Sequence, residues 1–161
     1  MNTRALFYFS FLLFLLGINS IYSQHTNILN VKLEEDEKVL QIQQEFTYQN
    51  DSNVTLEELY FNDWANSYSD KNTALAKRFA EQFKKSLHLA KDDERGATDI
   101  ISAVDEDYRG LTWKHNSGKD IIKINLNKPL APNESAIIFI TYSVKLPPNK
   151  YTSYGYNNNR E

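Results

Sequence analysis

The feature that most constrains the fold is a recurrence of apolar side chains at every second position near the C-terminal end. From position 136 to 146 this set comprises Ala136, Ile138, Ile140, Tyr142, Val144 and Leu146. Successive side chains on a strand point to opposite faces, so a period of two places the whole set on one face. The segment is therefore predicted to be a strand with one face in the core.

Earlier segments carry the same period. Apolar side chains recur at every second position, or nearly so, around 29–33, 40–48 and 122–126, and 54–61 is a further strand of mixed character. Half-buried strands of this kind form antiparallel sheets with one wet face. The expected fold class is mainly β, an antiparallel β-sandwich or saddle-like domain. The segment 128–135, which contains two prolines, is expected to be a loop.

One stretch interrupts the strands with the period of a helix. Between residues 73 and 91, apolar side chains recur four positions apart, at Leu75, Phe79, Phe83 and Leu87. This spacing predicts one inserted amphipathic helix of about five turns, capped by Asn72 or Thr73. Its apolar stripe must be covered either by the domain's own sheet or by a part of the protein outside this sequence.

The first 23 residues have the pattern of a secretory signal peptide rather than of the fold. Arg4 supplies a positive start, an apolar run extends from Ala5 to Leu16, and a more polar stretch ends at the small residue Ser23. The run is shorter than the roughly 20 residues needed to span a bilayer. Residues 1–23 are predicted to be removed on export to the periplasm or outside the cell, with an uncleaved anchor as the alternative.

Composition and motifs exclude several classes of function. The chain contains no cysteine and its net charge is -3, so it lacks both thiolate ligands and the basic excess typical of nucleic-acid binding. No two of the three histidines lie four residues apart, which excludes a helical zinc pair. Neither a nucleophile elbow nor a glycine-rich phosphate loop is present. We therefore predict no catalytic, cofactor-binding or metal-ligating residue in this chain.

Two acidic clusters are interpreted as solvated turns. They span 92–94 and 105–107, and the second has part of the pattern of a calcium loop. Arg109 occupies the place of the third acidic ligand, and Asn116 stands where the closing glutamate is needed. A hydrated turn explains both clusters without a metal.

An aromatic-rich stretch from residue 59 to 70 carries the most functional information. Trp64 and Tyr68 lie in a loop that leads from the third strand into the helix. Two roles stay open for these aromatics: an exposed interaction surface for peptide or sugar, or anchors that hold the loop on the core.

This stretch and its neighbours resemble a known family. The resemblance is carried by 59–64 (LYFNDW), 68–73 (YSDKNT), 75–79 (LAKRF), 94–96 (ERG) and 154–156 (YGY). These segments are similar to the N-terminal domain of secreted aminopeptidase N-like zinc metallopeptidases of the type found in Bacteroidetes. The resemblance covers nearly all of the chain after the signal peptide.

The resemblance implies a β-rich, non-catalytic domain that packs against a thermolysin-like catalytic domain. In that family an H-E-x-x-H helix binds zinc, and this chain has no such motif. Zinc is thus expected only in a catalytic domain that is missing from this chain and would be its partner. Residues 24–146 would form the peptidase-type domain, and 147–161 a linker or tail.

A second function stays open beside the first. The chain could be a stand-alone secreted β-domain that binds peptide or glycan through Trp64 and Tyr68. No membrane contact is expected after cleavage of the signal peptide.

Overall fold

Seven strands hold about half of the residues in the structure, a computed structural model that describes residues 25–115 and 120–157. The predicted signal peptide lies outside the described residues. The strands are β1 (His25–Glu34), β2 (Val39–Gln49), β3 (Leu56–Asn62), β4 (Ala97–Asp105), β5 (Thr112–His115), β6 (Ile121–Leu130) and β7 (Ser135–Lys145).

The strands form two antiparallel sheets. The first sheet has the order β1-β2-β7-β4 and the second has the order β3-β6-β5. The expectation of a mainly β, antiparallel, sandwich-like domain with one inserted helix is confirmed. The strand β6 continues through Pro129 to Leu130, so the predicted loop over 128–135 is too long and only 131–134 connect β6 to β7.

The main core lies between the two sheets. Ile138 and Ile140 of β7 pack with β4, β5 and β6, as the period of two predicted for the last strand. The buried side chains of this core are Leu59, Ile100, Ala103, Leu111, Ile122, Ile124, Ile138 and Ile140. The face of the first sheet that carries Ile100, Ala103, Ile138 and Ile140 is called its inner face below.

The inner face of the first sheet extends beyond the second sheet. Directly opposed residues of antiparallel strands share a face. Register pairs Ile42 with Tyr142, and Val31 with Ile42, so Val31 lies on the inner face as well. Yet Leu29, Val31 and Leu33 are 47%, 54% and 48% exposed. The inner face of β1 is therefore apolar but uncovered.

The inserted helix is much shorter than the sequence predicts. It is α1 (Ala74–Glu81), capped by Thr73, whose side chain accepts a hydrogen bond from the backbone N–H of Ala76 at 3.2 Å. It ends because Phe83 adopts a left-handed conformation with φ 60°. The N–H groups of Phe83 and Lys84 then donate to the carbonyls of Ala80 and Phe79, which is a Schellman termination.

This early end divides the predicted stripe. Leu75 and Phe79 pack on a second buried cluster, formed by Tyr68, Ala76, Leu87 and Tyr151. Leu87 reaches that cluster from a turn after α1. Phe83 is 90% exposed. The helix packs on its own domain, and one member of the predicted stripe faces solvent.

Candidate functional site

The aromatic stretch after β3 forms a short 3-10 helix, Trp64–Tyr68. The two residues predicted to form an interaction surface, Trp64 and Tyr68, differ in their exposure to solvent. Trp64 is 59% exposed, whereas Tyr68 is 4% exposed. The ring of Tyr68 meets the edge of the Tyr154 ring at 5.8 Å and 81°. Trp64 is thus available to a ligand, and Tyr68 is an anchor inside the domain.

The segment after β7 packs back onto the domain. Tyr151 is 7% exposed, and Tyr156 donates its backbone N–H to the carbonyl of Pro147 at 3.0 Å. A side chain at Gly155 would collide with that same carbonyl, so the close approach requires glycine. Burial raises the pKa of the Tyr154 hydroxyl well above its usual range. Residues 147–157 therefore pack over this end of the sandwich, and they are called the C-terminal cover below.

A buried carboxylate lies beside this cover. Asp63 is 5% exposed, and the Thr98 hydroxyl donates to its Oδ1 at 2.5 Å. The Nδ1 atom of His115 lies 3.3 Å from the other oxygen, Oδ2. The backbone N–H of Asp63 donates to the carbonyl of Asp120 at 2.8 Å, which continues the β3–β6 ladder and holds the main chain at Asp63. The Asp63 charge also contributes to a raised pKa of Tyr142, after the larger effect of burial.

Arg95 is a buried cation two residues before β4. It is 9% exposed, and its Nη2 donates to the carbonyl of Ala90 at 2.9 Å. Asp92, fully exposed, lies 3.8 Å from its Nε. Among the described residues, the Nη1 atom of Arg95 has no hydrogen-bond partner, and neither has the buried hydroxyl of Ser67. The Arg95 side chain thus connects the turn after α1 to the start of β4, and its Nη1 atom donates no hydrogen bond to the described residues.

Glu94 connects the same region to the C-terminal cover. Its carboxylate accepts hydrogen bonds from Lys150 at 2.5 Å, the Lys91 backbone at 3.1 Å and the Tyr151 hydroxyl at 3.3 Å. The bond from Lys150 is the main reason that the pKa of Glu94 lies below its usual range.

The five segments that carry the family resemblance meet at this end of the sandwich. Asp63 contacts Thr98, Tyr68 contacts Tyr154, and Thr73 donates to the carbonyl of Ser67 at 2.7 Å. Gly96 and Gly155 both pack against Pro147. Segments separated by up to about ninety residues in the sequence therefore form one packing unit.

An open groove begins next to this unit. Its floor is the inner face of β1 and β2, its wall is β3, and Trp64 stands at one end. The end near Trp64 has a volume of about 320 Å³ and is lined by Leu29, Ile42, Phe61 and Tyr142, among others. Beside Phe46, Tyr48 and residues 55–61 the groove continues as a wider space of about 720 Å³. The groove is largely apolar, with amide and hydroxyl groups and the carboxylates of Glu57, Glu58 and Asp63 among its lining.

The second acidic cluster is a turn, as its sequence predicts. Asp105 accepts hydrogen bonds from the backbone of Asp107 at 3.0 Å, the backbone of Arg109 at 2.9 Å and the Asn127 amide at 2.9 Å. The bond from Asn127 is the largest cause of a lowered Asp105 pKa. Across the described ranges, no three His, Asp or Glu side chains gather in a way that could hold a metal ion.

Sequence reasoning missed the contacts of the buried Asp63 carboxylate with Thr98 and with the exposed His115. In the sequence, Asp63 and Arg95 stand out only as members of the resembling segments, because spacing alone cannot distinguish a buried carboxylate from a turn residue.

No protein-family model matches the chain, and no curated protein matches it. In the part of the chain that the structure describes, no helix has the length and apolar character needed to cross a membrane.

Proposed function

We propose that the chain is the non-catalytic N-terminal domain of an exported aminopeptidase N-like zinc metallopeptidase, and that it supports a catalytic domain not included in this sequence. The observation that carries the proposal is the uncovered apolar face at Leu29, Val31 and Leu33. Contiguous exposed apolar surface is typical of interaction sites. A domain whose task is to support another must offer such a surface.

The arrangement of the resembling segments supports the same proposal. Tyr68, Leu75 and Phe79 pack in one buried cluster and the Tyr154 ring contacts Tyr68, so these segments touch one another rather than form scattered surface loops. Substitutions there would disturb the fold, which gives a physical reason for a family of domains to share these residues.

Export belongs to the proposal and is supported by the sequence of residues 1–23. The apolar run from Ala5 to Leu16 follows a single positive charge at Arg4. The domain itself has no cysteine and does not depend on disulfide formation in the compartment that receives it.

The most direct test is to read the genomic DNA beyond codon 161. The proposal expects a frame that encodes H-E-x-x-H and a downstream glutamate ligand. At the protein level, the purified chain should contain no stoichiometric zinc and should release no amine from aminoacyl substrates, because a catalytic zinc needs three protein ligands. Turnover that depends on zinc in this chain alone would contradict the proposal.

Exposure of Trp64 favours a second candidate, a stand-alone secreted domain that binds peptide or glycan. The indole borders the groove end of about 320 Å³, and stacking on such a ring is a common mode of sugar and peptide recognition. Trp64→Ala should then abolish retention on an immobilised glycan or peptide panel. Trp64→Phe, which keeps an aromatic face, is the matched control.

A further inference from the structure

The outer face of the first sheet, which is the side away from the core, carries an exposed pair of stacked aromatic rings. Phe139 lies on this face because its neighbours in β7, Ile138 and Ile140, belong to the core. The Tyr108 ring, from the turn after β4, stacks on Phe139 with ring centres 5.5 Å apart and planes inclined by 7°. Tyr108 is nevertheless 76% exposed, so the second face of its ring is open to solvent. This pair is called the aromatic platform below.

The turn that carries Tyr108 holds the ring in place with an unusual backbone conformation. Tyr108 is left-handed, with φ 60°, which is unfavourable for a bulky side chain. The Asp105 carboxylate accepts hydrogen bonds from the backbone N–H groups of Asp107 and Arg109. The N–H of Tyr108 itself donates to the Asp105 carbonyl at 2.9 Å. Strained residues of this kind cluster at ligand-binding and active sites, and here the strain fixes a ring that projects into solvent.

A row of uncharged polar side chains crosses the first sheet beside the aromatic platform. Thr141 occupies the next outer-face position of β7 after Phe139. Register places Thr141 opposite Ser102 of β4 and opposite Gln43 of β2. Gln43 in turn lies opposite Asn30 of β1. Because neighbouring strands lie about 4.8 Å apart, this polar row is about 14 Å long.

The side chains of the polar row are available to a ligand. Within the described part of the chain, none of these four side chains takes part in a hydrogen bond. Asn30, Gln43 and Thr141 line an open depression of about 450 Å³ on this face. Amide and hydroxyl groups both donate and accept hydrogen bonds. The row can therefore pair with a ligand whose own groups are donors and acceptors at once, as hydroxyl groups are.

The charged side chains around the platform and the row carry both signs. Beside the Tyr108 ring, Nη2 of Arg109 lies 2.6 Å from the Asp107 carboxylate. Glu45 lies on one side of the polar row, and Lys32 and Asp99 lie on the other. A polyanion or a polycation would thus meet charges that repel it as well as charges that attract it. A neutral ligand is not repelled by either set.

We propose that this outer face binds a neutral oligosaccharide, with one sugar ring stacked on Tyr108 and with hydroxyl groups hydrogen-bonded to Gln43 and Thr141. A sugar ring presents C–H groups on its faces, which fit a flat aromatic ring, and hydroxyl groups at its edges, which fit the row. The site is separate from the groove beside Trp64, which lies against the inner face. It does not depend on the proposed function, because all of its residues belong to the described domain.

The test uses the full chain, expressed from its complete coding sequence, and a panel of uncharged β-1,4-linked hexasaccharides. The panel contains the hexamers of glucose, mannose, xylose and N-acetylglucosamine. Calorimetry should detect binding of at least one of them with a Kd at or below about 1 mM. Absence of binding by the whole panel would overturn the proposal.

Two variants of Tyr108 test the platform. Tyr108→Gly removes the ring, and glycine adopts the left-handed conformation without strain, so the variant should fold and should bind at least about tenfold more weakly. Tyr108→Phe keeps the ring and should change affinity less than about threefold. Binding by Tyr108→Gly that equals binding by the wild type would overturn the proposal.

Two neighbouring glutamines on opposite faces of β2 test the polar row. Gln43→Ala removes an outer-face amide and should weaken binding about fivefold, as loss of one hydrogen bond does. Gln44→Ala removes an inner-face amide, which donates to Oδ1 of Asn27 at 2.9 Å, and should leave affinity unchanged. Equal effects of the two variants, or an effect of Gln44→Ala alone, would overturn the proposal.

Two further outcomes would identify another site or another occupant. Loss of sugar binding in Trp64→Ala, with binding by Tyr108→Gly intact, would place the sugar in the groove and overturn the proposal. A wild-type dimer that Tyr108→Gly dissociates, together with no sugar binding, would identify a second copy of the chain as the occupant and overturn it as well. An absent H-E-x-x-H frame would contradict the proposed function alone, without changing the sugar results.

Discussion

At the scale of single residues, the buried carboxylate of Asp63 depends most directly on Thr98. The Thr98 hydroxyl is the hydrogen-bond donor to Oδ1, at 2.5 Å. Thr98→Val keeps the shape and removes the donor, so it should destabilise the fold by about 1 to 3 kcal/mol. Thr98→Ser keeps the donor and should cost clearly less. Denaturant melts of the two variants measure the difference, and equal losses would show that packing, not the hydrogen bond, is responsible.

A second residue-scale prediction concerns acid stability. The pKa of Asp105 is held below its ordinary value of 3.8, first by the hydrogen bond from Asn127. Since the folded pKa is lowered, the stabilisation is complete above the unfolded pKa and is lost as pH falls through the folded one. Asp105→Asn should therefore lower the free energy of unfolding at pH 7 and reduce the loss of stability as the pH falls below about 4. Chemical melts across that range check both effects, and an unchanged acid profile would exclude Asp105 as a contributor.

The two aromatics of the 3-10 helix indicate what sequence reasoning can and cannot establish for a residue. Composition and spacing identified the stretch around Trp64 and Tyr68 as informative. They left open which ring faces the core, because a short 3-10 helix has no long apolar period to decide the direction. Only the contact between Tyr68 and Tyr154, far apart in the sequence, fixes the orientation.

At the scale of elements, Phe79 and Phe83 are a matched pair from one predicted stripe. Phe79 is partly buried against the cluster of Tyr68 and Leu87, whereas Phe83 is 90% exposed. Phe79→Ala should cost about 2 to 3 kcal/mol, less than a fully buried phenylalanine, and Phe83→Ala should cost below about 0.5 kcal/mol. Thermal or urea melts test the pair. Equal costs would contradict the early end of α1.

The end of α1 explains why the predicted helix is too long. The spacing of four continues through Phe83 to Leu87, and no glycine marks the left-handed position that usually follows a helix. Phe83 adopts that conformation instead, and Leu87 reaches the same cluster from a turn.

The strands β7 and β2 were predicted more accurately than the helix, because their period of two continues wherever one face of the strand packs on the core.

At the scale of the whole molecule, export is the property most easily separated from folding. Leu13→Arg places a charge in the middle of the predicted signal peptide, where insertion costs about 2.5 to 3.5 kcal/mol. The precursor should accumulate in the cytoplasm with Met1 still attached, while the domain keeps its stability. Fractionation and N-terminal mass determination measure this. Full-length wild-type protein in the cytoplasm would contradict the signal-peptide interpretation.

The sandwich as a whole was predictable, but the order of its strands was not. Alternation assigns faces to segments and says nothing about which segments pair. The pairing of β2 with β7, the longest-range ladder of the first sheet, joins residues about a hundred positions apart. The uncovered face of β1 follows from that order, so it could not be found from the apolar period of β1 itself.

The position of β1 has a consequence for the dynamics of the domain. Its ladder is held by β2 alone and its apolar side chains are exposed, so little burial opposes local opening. Local unfolding energies follow such differences in burial. Amide protons of Asn30 and Lys32, which point toward β2 in the ladder, should thus exchange with deuterium well before those of Ile138 and Ile140, which mass spectrometry of peptic fragments can resolve. The domain would then open from the edge of the first sheet, with β1 separating first and the central strands β2 and β7 last.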